Sequence, residues 1–235
     1  MTVRRDGFLN QYFYFSMSLV IAVVVVFGFS QTVGRRLFHP TIAPPPIIYP
    51  HAAVFSTWVV FFIVQTSLVR MRKVNVHRAL GWLGVALGAT IPVLGIFTAA
   101  TMDHFRMTRF HDATAAPFLS VQICDLSSFT IPFVLAVYWR RRPEFHRRLM
   151  LVASCALTAA AFGRFPWDTF AYNWFYAGVD SLVILGVVSD LILTRSVHPV
   201  YRYALPAMIV AQSTAISLAN WPPAWWNRLT TSFLS

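Results

Sequence analysis

Acid is what this chain has least of. Of its 235 residues only 8 are Asp or Glu, and charged residues of both signs reach 11%. A soluble domain carries about 25%, so an ordinary water-facing surface is excluded. Lysine occurs once, at Lys73 in a turn, which rules out a retinal pigment with its lysine in the last span. The two cysteines, Cys124 and Cys155, lie in apolar runs without CxxC spacing. They make neither a disulfide framework nor a thiolate metal site, and read as buried, inert thiols. No P-loop, GxGxxG or GxSxG stands where it would carry chemistry, and HxxxH and HExxH are absent.

What is present is apolar. Hydrophobic residues make up 57%, mean hydropathy is +0.60, and there are 21 Phe and 8 Trp, a composition suited to interfacial aromatic belts. Seven runs approach the length of about 20 residues that crosses a bilayer, near 12–33, 51–69, 79–101, 117–138, 149–166, 179–194 and 203–219. Lipid cannot satisfy open backbone groups, so the runs must be helices. The sequence therefore predicts an all-α integral membrane bundle of about seven helices, one domain over 1–235. The first run follows Arg4 and Arg5 but is too long for a signal-peptide core and ends in Gly34-Arg35-Arg36. It reads as an uncleaved span.

The net charge of +11 would suggest nucleic acid in a soluble protein. Here the arginines sit in short turns between apolar runs, so their partners are the bilayer and anionic headgroups. Thirteen of the nineteen Lys and Arg fall on the side of the N-terminus and of the turns after the second, fourth and sixth runs. The positive-inside rule then puts the N-terminus in the cytoplasm of a bacterial cell, in its inner membrane. The loop HPTIAPPPIIYPH is expected to be extended and stiff. Gly81, Gly84, Gly88 and Gly95 line one face of the third run, and Ala153, Ala156, Ala160 and Gly163 one face of the fifth. Such stripes permit close helix approach and predict that both spans lie inside the bundle. Pro92 predicts a kink in the third.

Two turns repeat. MRKVNVHRALG carries His77 and Arg78, and RRPEFHRRLM carries His146 and Arg147, 69 residues later. A weaker version, TRSVHPVYR, carries His198 and Arg202. The repeat predicts a duplicated helical hairpin. Basic groups are disfavoured at helix starts by the macrodipole, and an Asp or Ser would cap better. The sequence therefore points to an anion in front of those ends, from a lipid phosphate, a haem propionate or a nucleotide. Topogenic charge on anionic lipid is the plainer reading. Histidine adds the capacity to ligate haem iron or zinc or to move protons.

On the opposite side His51, His104 and His111, with Asp103 and Asp112, form a candidate divalent-metal set. Inside the membrane Asp125, Arg164 and Asp180 count to similar depths, which predicts an Asp125–Arg164 ion pair with Asp180 nearby. Asp190 and Gln65 lie five residues before a basic side chain and read as a snorkelling polar boundary.

The motifs HRALGWLG, HRRLMLVA and SVHPVY resemble those of a broad group of bacterial polytopic membrane proteins of unknown function. These share a His early in a span (here His51), a Gln late in it (Gln65), an HRxLG turn, an HKRLM turn and a late His-Pro. Arg147 stands where the second turn usually has Lys. The resemblance covers about 50–220 and implies that His77, Arg78, His146, Arg147 and His198 are the motif positions, without implying an activity. Three functions remain open on this reading. One is a redox or cofactor-handling protein whose His-Arg turns hold haem, quinone or a metal. Another is a transporter or accessory subunit, partnered by other membrane proteins and using the Asp125–Arg164 layer. The third is a zinc-dependent lipid hydrolase. Lipid amidases of that kind carry an HxxxH pair in their last span, which this chain lacks, and the paired histidines of di-haem cytochromes are missing too.

Overall fold

The computed structural model describes residues 3–166 and 175–234, with backbone alone for 3–11, 36 and 37. Arg4, Arg5 and Arg36, which enter the charge asymmetry, are among the backbone-only positions. The described residues are helical and contain no strand. The helices are α1 (Val3–Ser30), α2 (Ile48–Arg70), α3 (Val74–Phe110), α4 (Ala115–Tyr138), α5 (Pro143–Ala156), α6 (Ala159–Phe162), α7 (Phe175–Thr194), α8 (Pro199–Asn220) and α9 (Ala224–Leu234). A π-helical turn, Gly34–Phe38, follows α1.

Five of these helices are long and apolar enough to cross a membrane: α2, α3, α4, α7 and the Tyr12–Ser30 part of α1. The fifth apolar run is not one rod. α5 stops at Ala156, Thr158 turns its hydroxyl onto the Cys155 carbonyl at 2.6 Å, and α6 adds only four residues. At ~1.5 Å per residue α5 is about 21 Å long, short of the ~30 Å hydrocarbon layer. α8 has 22 residues but admits Arg202 and several polar groups, so its length suffices and its apolarity does not. α3 runs through Pro92 as one helix of 37 residues.

The centre is made by α4 and α5. α4 packs against α3, α5, α8 and α9, and in α5 Leu151, Val152, Ala153 and Cys155 are fully buried. Ala153 and Ala156 of the alanine stripe lie in this inner helix, whereas Ala160 is exposed on α6 and Gly163 half-buried just after it. The glycine stripe does not mark an inner helix. Gly84, Gly88 and Gly95 receive Phe61, Phe133 and Leu126 of the flanking helices, Gly81 faces open space, and Trp82, Leu83, Val93 and Phe97 point outward. The stripe therefore records close packing on α2 and α4 at the rim of the bundle.

Contacts sort the helix ends into two layers. At one end Arg70 lies over the Tyr12 and Phe15 rings, Arg140 over Trp82, and Phe145 against His198. At the other, Phe27 meets Phe165, Trp226 donates to the Pro117 carbonyl and His104 meets the Leu234 carbonyl. All three histidine turns belong to the first, arginine-rich end.

Candidate functional site at the arginine-rich end

The second His-Arg turn is built by α4 ending and α5 beginning. Pro143 occupies the first turn of α5, where its missing N–H costs nothing. His146 Nδ1 meets the Ala136 carbonyl at 2.9 Å, in the last turn of α4, whose carbonyls lack helical partners. Its ring stands edge-on to His77, with centroids 6.3 Å apart. The duplicated turns thus bring their histidines together across the α3–α5 gap.

Gln65 joins this pair. Trp58 Nε1 donates to Ser154 across α2 and α5. Seven residues further along α2 is Gln65, and seven residues back along the antiparallel α5 is Arg147. The His77 ring lies against the Gln65 backbone. Gln65 is 8% exposed, and neither of its side-chain polar atoms has a hydrogen-bond partner. His77 Nδ1 is also unpartnered. A buried unpaired polar group costs about 1–3 kcal/mol, so this cluster is short of a donor-and-acceptor partner.

Beside it lies the most strongly held charge pair of the described residues. Arg148, 3% exposed, sends Nη2 to Asp190 Oδ1 at 2.6 Å, and its Nε lies 3.1 and 2.9 Å from Oδ1 and Oδ2. Its Nη1 reaches Glu144 Oε2 at 2.8 Å and the Glu144 carbonyl at 2.9 Å. Asp190 Oδ2 also accepts the His198 N–H at 3.2 Å. One guanidinium therefore ties α5, α7 and the start of α8. Arg147 bonds Glu144 and lies over the Tyr14 ring. The two cations held by Glu144 draw its carboxyl below the ordinary carboxylate range, against a desolvation cost that pushes the other way. A cleft of about 100 Å³ lies among Tyr14, Arg147, Arg148, Ser189, Asp190 and Thr194.

This geometry corrects one expectation, for Asp190, and gives His198 a structural role. Asp190 is no snorkelling boundary residue: it is buried in a fork. And His198 is a cap, since its Nδ1 accepts the Val200 N–H at 3.2 Å, with Pro199 beginning α8. Burial lowers the pKa of its imidazole, which favours the neutral, accepting ring that the cap needs. Arg78, in contrast, is exposed. The first turn carries Ala79 where the second has Arg148, so the repeats share their histidines but not the buried ion pair.

The predicted intramembrane pair is not formed. Asp125 accepts the Tyr176 hydroxyl at 2.7 Å, while Arg164 lies over the Phe29 ring and donates to the Ala160 carbonyl. Asp180 takes Gln212 Nε2 at 3.1 Å. The outer histidines do not converge. His51 stacks on Phe55, His104 is taken by Leu234, and His111 ends α3 in a left-handed conformation. Among the described residues no three His, Cys, Asp or Glu side chains gather as metal ligands. The acids expected to help them hold Arg106 instead, Asp112 at 2.6 Å and Asp103 at 3.3 Å. Hydrogen bonds from Thr114, with those from Arg106, keep the Asp112 carboxyl below its ordinary range.

The helices and their two polar ends define a multi-pass α-helical membrane protein. Compared with protein-family models, curated proteins and solved structures, the chain matches none.

Proposed function

We propose that this chain is a bacterial inner-membrane protein of seven crossings that handles a redox cofactor of the quinone class at its cytoplasmic end. In this reading α5 and α6 together make the fifth crossing and α8 the seventh, with the hairpin duplicated and the N-terminus inside. The observation that carries the function is the His77–His146–Gln65 cluster with its unpartnered buried atoms. A quinone carbonyl accepts from an imidazole N–H and a glutamine amide, and a quinol hydroxyl donates to the glutamine oxygen. His77 is only half-buried, so a lipid-borne head group reaches the cluster sideways from the inner leaflet. A protein-caged metal suits two imidazoles less well, since among the described residues no third His, Cys, Asp or Glu joins them.

The test is titration of purified protein with a short-chain ubiquinone analogue, followed by tryptophan quenching. Saturable binding is expected, weakened about tenfold by Gln65→Leu or His146→Ala, the loss of about 1.4 kcal/mol. Binding that is absent, or equal in all three proteins, overturns the proposal.

A second reading, a transporter or accessory membrane subunit, draws on the Asp125–Tyr176 and Asp180–Gln212 bonds. It predicts a proton flux in vesicles that Asp125→Asn abolishes while His146→Ala leaves it intact.

A further inference from the structure

We infer that α9 is an in-plane helix seated in the outer interface of the bilayer, with lipid as the occupant of its exposed apolar face. Its 11 residues span about 16 Å, far too little to cross. Trp221-Pro222-Pro223 separates it from α8, so the chain turns over at the bundle's end.

At 100° per residue its side chains divide into three sectors. Trp226, Thr230 and Leu234 are buried and form the first. They face α3 and α4, where Trp226 Nε1 donates to Pro117 and the Leu234 carbonyl meets His104 at 2.6 Å. Directly beside them run Trp225, Leu229 and Phe233, which are 60%, 58% and 62% exposed. The remaining arc holds Asn227, Arg228, Thr231 and Ser232.

A helix resting on protein with one flank and on water with another leaves a third direction, and here that flank is wholly aromatic or aliphatic. It adjoins the protein-facing sector, which is where the hydrocarbon beside α3 and α4 begins. Trp and Phe at such a boundary keep an apolar body in the acyl region. Arg228, in the polar arc bordering Trp225, is placed to reach lipid phosphates.

The test uses full-length protein in phosphatidylcholine–phosphatidylglycerol vesicles. The native Cys124 and Cys155 are buried, so spin labels on Leu229→Cys and Thr231→Cys report their own sites. Collisions with oxygen and with a water-soluble nickel chelate give each depth. The expected result is Leu229→Cys about 5–10 Å below the phosphates, favouring oxygen several-fold, and Thr231→Cys favouring nickel. Equal nickel access at both sites overturns the proposal. So does protection of Leu229→Cys from both reagents, which would mean that protein covers the stripe. Loss of the bundle in Leu229→Cys would show as lost signal order at both ends, and Phe233→Cys then repeats the measurement on the same flank.

Discussion

Arg148→Ala lowers the stability of the purified protein by about 3–5 kcal/mol, the cost of leaving a buried charge without its partner. At about 2–4 °C per kcal/mol for a chain of this size, the melting temperature in detergent falls by roughly 10 °C. The reason is Asp190, which is 4% exposed and accepts both Nε and Nη2 of Arg148. Without the guanidinium that carboxylate keeps only the weaker His198 N–H at 3.2 Å. Arg148→Lys keeps a cation but not the fork, because an ammonium cannot reach both carboxylate oxygens and Glu144 together. Its loss falls between wild type and Arg148→Ala. The decisive variant is the double replacement Arg148→Met with Asp190→Leu. A buried ion pair exchanged for apolar groups of similar size is often neutral or stabilising, so the double variant melts near the wild type. If it melts as low as Arg148→Ala, the pair matters through the α8 cap and Glu144 rather than through uncompensated charge.

That pair also shows where sequence reasoning stops. Counting residues from a helix end gives depth along the membrane normal, and by depth Asp190 and Arg148 were both near the basic boundary. Depth carries no azimuth, so nothing in the count showed the two facing each other at 2.6 Å. The Asp125–Arg164 expectation failed for the same reason and one more. Arg164 lies beyond the break at Leu157 and Thr158, and a helix interrupted by a turn loses its rotational phase. Asp125 and Asp180, on α4 and α7, each found a neutral partner instead, Tyr176 and Gln212. The histidine turns were legible because a turn fixes position tightly: His77 and His146 are each the fourth residue of a helix that begins at the same end. Their shared neighbour Gln65 was legible as a polar residue in an apolar run, though its environment was not. The outer histidines shared an end without sharing a direction, which is why no metal set formed from them.

Gly28→Ala is expected to separate α1 from α6, at a cost near the top of the about 1–3 kcal/mol range for overpacking. Among the described glycines the closest approach to another helix's backbone is here, on α1, outside the small-residue stripes of the third and fifth apolar runs. A methyl group at Gly28 would lie 2.3 Å from the Ala161 carbonyl oxygen and 2.8 Å from its carbon and Cα. Those are backbone atoms of a short helix held by Thr158, so no side chain can swing aside. The helices must part, and with them the Phe27–Phe165 edge contact at 4.9 Å and the Arg164 guanidinium 4.4 Å above Phe29. In lipid, helix association depends on such packing, because there is no hydrophobic force between helices to replace it. Gly81→Ala is the opposing case: nothing lies within 4 Å of the added carbon. There the better helix propensity of alanine, up to about 1 kcal/mol, acts alone. Thermal unfolding of the two variants beside the wild type should therefore move in opposite directions. A Gly28→Ala protein as stable as the wild type would mean that α1 and α6 do not touch through this glycine, and that the broken fifth helix is held by α5 and α7 instead.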